Sequence, residues 1–132
     1  MSFVEPVARL RDSLAKTLLV SAQSGGPVAS SLTHAGRSFT SVRNGNEALR
    51  RVHQESFDLV VLHSTGKEMD LVETVLNLRD IRPSIPLIVL RDPTDPQRDP
   101  ALEGIYSLAI PELAVLTLEE LQRDLNAAEK QH

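Results

Sequence analysis

The chain has 132 residues, 41% hydrophobic and 24% charged, which suits one globular domain with a core of its own. The absence of cysteine excludes disulfides and thiolate metal sites, and the net charge of −4 with scattered basic residues predicts no nucleic-acid binding. No apolar run approaches the ~20 residues of a membrane span and no secretory signal opens the chain, so we expect a cytoplasmic protein without membrane contact.

The start of the chain is interpreted as a segment of its own. Apolar residues recur at helical spacing from Val4 to Ala15, which predicts an amphipathic helix. We therefore divide the chain into an N-terminal helical extension, residues 1–15, and one domain over residues 16–132.

Short segments rich in apolar residues predict five strands. The first four cover Thr17 to Val20, Phe39 to Val42, residues 58–62 and Leu87 to Leu90, and the fifth covers Ile105 to Ile110. Most of these runs lack polar alternation, which is typical of parallel strands covered on both faces.

Helices are predicted between the strands. Pro27 opens one that ends near His34, with Gly36 as its C-cap, and the turn at Asn44 opens a second. A third runs from about Asp70 to Arg79. Thr117 and Glu120 have capping-box spacing, which predicts a last helix to about Ala128.

The alternation of strands and helices predicts a parallel sheet with helices on both faces. It breaks over residues 92–100, where three prolines disfavour a continuous helix and predict a loop.

Several segments resemble the receiver domains of two-component response regulators. Residues 44–49, Asn-Gly-Asn-Glu-Ala-Leu, resemble the start of that family's second helix, and Phe57–Leu62 and Ile85–Leu90 resemble its third and fourth strands. Met69-Asp70 and the Leu-x-Leu-Arg ending at Arg79 resemble its third helix. The resemblance covers about residues 16–128 and implies a three-layer, flavodoxin-like (CheY-like) doubly wound fold, with a five-stranded parallel sheet in the order 2-1-3-4-5.

The resemblance also indicates where that family carries its phosphorylation residues. Its magnesium-binding acidic pair corresponds to Ser21 and Ala22, its phosphoacceptor aspartate to His63, its Ser/Thr after strand four to Arg91, and its lysine after strand five to Ile110. Because Mg²⁺ is held by carboxylate oxygens and an acyl phosphate needs a carboxylate, the resemblance implies a degenerate pseudo-receiver without catalytic residue, metal or cofactor.

We therefore expect a phosphorylation-independent signalling module that acts by protein–protein contact and is related to two-component regulation. The parent protein could be a transcription regulator. The proline-rich segment 92–100 and the residues that follow it, together residues 92–128, are the expected contact surface for a protein partner or for a homodimer.

An alternative is a sensor of a small anion or nucleotide bound over the strand ends. Its residues would be Ser24, Gly25 and Gly26, which precede a helix start, together with His63 and Arg91. Each of these features also has an interpretation without a ligand. Residues 24–26 could form a plain turn, His63 could fill a vacated pocket, and Arg91 could be solvated. No Ser/His/Asp order or metal cluster accompanies the strand ends, so an enzyme is not expected.

Overall fold

A computed structural model describes residues 15–21, 26–63, 71–91, 105, 108 and 110–129, and the side chains of Arg91 and residues 127–129 are outside that description. Most of the predicted N-terminal helix, the loop from Ser64 to Met69 and the proline-rich segment 92–100 therefore lie outside the described residues. Ala15, the last residue of that predicted helix, is described, and it is buried and outside regular secondary structure.

Five strands form one parallel sheet: β1 (Thr17–Ser21), β2 (Phe39–Val42), β3 (Leu59–His63), β4 (Leu87–Arg91) and β5 (Leu113–Thr117). Their order is β2-β1-β3-β4-β5, which confirms the predicted topology. The third strand begins and ends one residue later than predicted, so His63 is its last residue.

Four described helices cover the sheet: α1 (Pro27–His34), α2 (Gly45–Gln54), α3 (Leu71–Ile81) and α4 (Leu118–Glu129). Successive residues of β3 alternate between the two faces, because side chains of a strand point to opposite sides. Val60 and Leu62 pack with the buried residues of α2 and α3, whereas Leu59 and Val61 pack with those of α1 and α4. This arrangement gives the expected three layers.

Local motifs set the ends of these helices as the sequence predicts. Gly36 follows α1 with a φ of 75°, which a residue without a Cβ adopts freely. Its N–H donates to the Thr33 carbonyl at 3.0 Å, and the Arg37 N–H donates to the Leu32 carbonyl at 2.9 Å. These two bonds form a Schellman motif that satisfies the last carbonyls of α1.

The predicted fifth strand over Ile105 to Ile110 is wrong. Ile105 and Ile110 are buried against the α2 and α3 face only, and the Leu113 N–H donates back to the Ile110 carbonyl at 3.3 Å in a turn. A strand must supply side chains to both faces. Residues 113–117 do so, because Leu113 and Val115 pack on the α2 and α3 side and Leu116 packs on the α1 and α4 side.

No helix within the described ranges is both long and apolar enough to cross a membrane.

Candidate functional site

The carboxyl ends of β1 and β3 bring two predicted site residues together. Ser21 ends β1, His63 ends β3, and the two are direct partners in the register of these parallel strands. Neighbouring strands lie about 4.8 Å apart, so the two residues are adjacent at this edge of the sheet. Each of the two makes a polar or electrostatic contact.

The two residues differ in their exposure to solvent. Ser21 is 4% exposed, whereas His63 is half-buried and therefore reaches the surface. A hydroxyl and an imidazole are poor ligands for Mg²⁺, which prefers carboxylate oxygens. Among the described residues there is no group of three His, Asp or Glu side chains placed to hold a metal ion.

Two further strand ends continue the same edge. Arg91 ends β4 and Thr117 ends β5, and they are register partners. The Thr117 Oγ1 atom accepts a hydrogen bond from the Glu120 N–H at 3.2 Å, and a Glu120 carboxylate oxygen accepts one from the Thr117 N–H at 3.0 Å. This confirms the predicted capping box and commits the Thr117 hydroxyl to the helix start. We call Ser21, His63, Arg91 and Thr117 the strand-end rim.

No known protein-family model matches the chain. Among solved structures, the chemotaxis response regulator CheY4 of Vibrio cholerae aligns with a TM-score of 0.61 at 20% identity, over 86% of this chain and 98% of that one. A CheY-like receiver domain protein from Methanospirillum hungatei aligns with a TM-score of 0.61 at 18% identity, over 91% of this chain and 100% of that one. The chain has the receiver fold of response regulators.

A third receiver structure has the same fold. The NtrC4 receiver domain, described as a beryllofluoride-activated dimer, has a TM-score of 0.61 at 17% identity, over 88% of this chain and 97% of that one.

In sequence, the transcriptional regulatory protein ZraR of Klebsiella oxytoca is 34% identical over 86 residues, which are 64% of this chain and 19% of that protein. The matched part is thus about a fifth of this relative's length.

Within the receiver fold, the position assigned to Ile110 needs correction. Ile110 lies before β5, at the amino end of that strand, so it cannot correspond to a residue that follows strand five. It is 9% exposed and belongs to the core beside α2 and α3. The strand end is Thr117, and its place on the rim was missed because the fifth strand was predicted over Ile105 to Ile110.

The predicted anion-binding set is described only in part. Ser24, Gly25 and the side chain of Arg91 lie outside the described residues, and so does Ala22 of the predicted magnesium-binding positions. Gly26 is the N-cap of α1 with a φ of −74°, and its carbonyl accepts from the Ser30 N–H at 3.0 Å. An extended backbone of this kind suits any residue, so Gly26 is not held there by a need for glycine.

Two surface cavities lie away from Ser21 and His63. One of about 460 Å³ runs between α1 and α4, where Ser31 and Gln122 are joined by a 3.0 Å hydrogen bond. The other, of about 420 Å³, opens at the amino ends of β3 and β4 beside Phe57 and Arg82.

A carboxyl group with a lowered pKa, that of Glu55, also lies at the amino end of the sheet. Lys16 precedes β1, and its Nζ donates to a Glu55 carboxylate oxygen at 2.9 Å. This hydrogen bond is the largest cause that lowers the pKa of Glu55 below its ordinary value of 4.5, and desolvation, which raises the pKa, opposes it in part. Arg51 adds a second contact to the same carboxylate at 3.2 Å.

Proposed function

We propose that the chain is a receiver-type signalling module that works without phosphorylation and acts through contact with a partner protein. The observation that carries this proposal is the pairing of Ser21 with His63 at the carboxyl ends of β1 and β3. The receiver resemblance assigns a magnesium-binding carboxylate and the phosphoacceptor aspartate to these two positions.

The chemistry of the two side chains supports the proposal. Phosphorylation of a receiver needs a hard cation held by carboxylate oxygens and a carboxylate that accepts the phosphoryl group. The Ser21 hydroxyl is buried and carries no charge, and an imidazole at position 63 cannot form an acyl phosphate. A receiver fold with these residues is therefore suited to a fixed state that partners recognise by shape.

The partner surface that we propose is the β5 and α4 side of the domain, within residues 92–128. Among the described strands β5 pairs with β4 alone and so lies at the edge of the sheet, and most of its residues are half-buried. An open strand edge is a ready template for pairing with another chain. The match to a transcriptional regulatory protein supports a role as the regulatory domain of such a protein.

The first experiment is an amide NMR titration of the chain with Mg²⁺ and beryllofluoride, a mimic of the acyl phosphate. We expect unchanged spectra. The variant S21D/A22D/H63D, which restores carboxylates at these positions, is the control and is expected to gain magnesium-dependent shifts at the rim. Shifts of the unsubstituted chain at Ser21, His63 and Arg91 would instead support the sensor of a small anion.

The contact surface is tested by sedimentation of two matched variants. A114R places a cation in the middle of the edge strand β5, and S41R does the same in the opposite edge strand β2. If β5 forms a homodimer interface, A114R alone lowers the dimer fraction. Equal behaviour of the two variants would remove β5 as the proposed surface.

A further inference from the structure

A groove at the amino ends of β3 and β4 combines an apolar lining with a polar rim. Its volume is about 420 Å³. The buried residues of its lining are Phe57, Ile85 and Pro86. The exposed residues at its rim include Asp58, Arg82 and Ser84. An apolar centre inside a polar rim is the usual anatomy of a surface that binds another protein segment. We call this cavity the β3–β4 groove.

The chain enters the domain at the wall of this groove. The Lys16 N–H donates to the Asp58 Oδ2 atom at 2.8 Å, and the Lys16 carbonyl accepts from the Asp58 N–H at 2.8 Å. The Lys16 Nζ atom also lies 5.1 Å from the centre of the Phe57 ring. Ala15 is buried, so the chain is already packed on the domain one residue earlier. The residues before Ala15 therefore start beside the groove.

The residues that precede Ala15 have the pattern and the length to cover the groove. They lie outside the described residues, and their sequence places apolar side chains three or four positions apart, at Val4, Val7, Leu10 and Leu14. This spacing forms one apolar face of a helix, and Pro6 falls in the first turn, where proline is tolerated. A helix over residues 4–14 is about 16 Å long, whereas the amino ends of the neighbouring strands β1, β3 and β4 span about 10 Å. It is therefore long enough to reach from its attachment at β1 across the groove.

We propose that residues 4–14 dock in the β3–β4 groove as an amphipathic helix, with Val7 and Leu10 on its buried face. Their attachment at Ala15 favours them over a separate partner, because a short linker holds a segment at an effective concentration of about millimolar and so populates even a weak contact. Docking also removes the apolar face of the helix from water, which drives the association. The proposal does not depend on the receiver role argued above.

Paramagnetic relaxation in the whole chain tests this docking. Because the chain has no cysteine, a single introduced cysteine carries a spin label at one defined place. S84C places the label on the rim of the groove, and S30C is the matched control, since Ser30 is exposed and lines the separate cavity between α1 and α4. We expect the S84C label to broaden the amide signals of Val4, Val7 and Leu10, and the S30C label to leave them unbroadened.

A second pair of variants separates docking from mere attachment near the groove. V7Q removes an apolar side chain from the proposed contact face, whereas R9Q changes the opposite side of the helix. We expect V7Q to reduce the broadening by the S84C label and, in the unlabelled chain, to shift the amide signals of Phe57 and Ser84. We expect R9Q to do neither. Equal effects of V7Q and R9Q would overturn the proposal, as would equal broadening from both labels or no broadening from the S84C label.

Discussion

Thr74 of α3 contacts Gly45 of α2 so closely that a Cβ atom at position 45 would lie 2.6 Å from the Thr74 Oγ1 atom. Thr74 is 6% exposed and branched at Cβ, so its side chain has little freedom to move aside. This contact sets how near α2 and α3 approach one another over the sheet.

The contact predicts a cost for G45A. Alanine normally favours a helix over glycine, but here the added methyl group overpacks the interface, and we expect a loss of about 1–3 kcal/mol in the free energy of unfolding. In a T74A background the hydroxyl is gone, and G45A should become neutral or stabilising. Urea unfolding of the two single variants and the double variant measures the coupling. Additive costs in the double variant would contradict the contact.

The capping box at the start of α4 predicts a cost for T117A. The substitution leaves the Glu120 N–H without its acceptor, and we expect a loss of about 1 kcal/mol in the free energy of unfolding. T117S keeps the hydroxyl and should stay within a few tenths of a kcal/mol of the wild type, a value typical of a retained cap. If T117S lowers the free energy of unfolding as much as T117A does, the loss comes from residue 117 as part of β5 and not from the helix cap.

The ion pair of Lys16 with Glu55 predicts an acid-dependent part of the stability. Because the folded-state pKa of Glu55 lies below 4.5, its contribution is present above that value and is lost as the pH falls through the folded-state pKa. In E55Q the free energy of unfolding should depend less on pH in this range. Denaturant unfolding at a series of pH values from neutral downward measures this dependence. The effect should shrink in high salt, since both side chains are partly exposed.

Arg79 and Glu112 form a long ion pair between the end of α3 and the turn before β5. The Arg79 Nη2 atom lies 4.0 Å from the Glu112 Oε2 atom, and Arg79 Nε and Glu112 Oε2 are buried without a hydrogen-bond partner. Replacement of one member leaves an uncompensated charge, whereas replacement of both by apolar side chains removes that penalty.

We therefore expect E112L to lower the free energy of unfolding by about 1 kcal/mol, a value reduced from that of fully buried pairs because both side chains reach solvent. R79M/E112L should be as stable as the wild type or more so. Thermal unfolding of the two variants compares them. A double variant less stable than E112L would show that the pair stabilises the fold in spite of its geometry.

The sequence predicts most of the sheet because its signals are local. Buried runs such as Leu59 to Leu62 have no polar residue to expose, and they leave no alternative to a strand covered on both faces. Helix ends were also predictable, because Gly36, Asn44 and Thr117 act through hydrogen bonds to residues three positions away in sequence.

The fifth strand was not predictable in the same way. Residues 105–110 and 113–117 are both apolar, and the choice between them depends on which one pairs with β4, a contact distant in sequence. The rim was predictable as far as Ser21, His63 and Arg91, since each ends a correctly predicted strand. Ile110 was misplaced together with its strand, so Thr117 went unnoticed as the fourth strand end.

β5 and α4 follow one another directly, because Thr117 is the last residue of the strand and Leu118 is the first residue of the helix. No loop residue separates the strand from the helix, and two hydrogen bonds join Thr117 to Glu120 in the first turn of α4. A displacement of the first turn of α4 is therefore expected to move the carboxyl end of β5 with it.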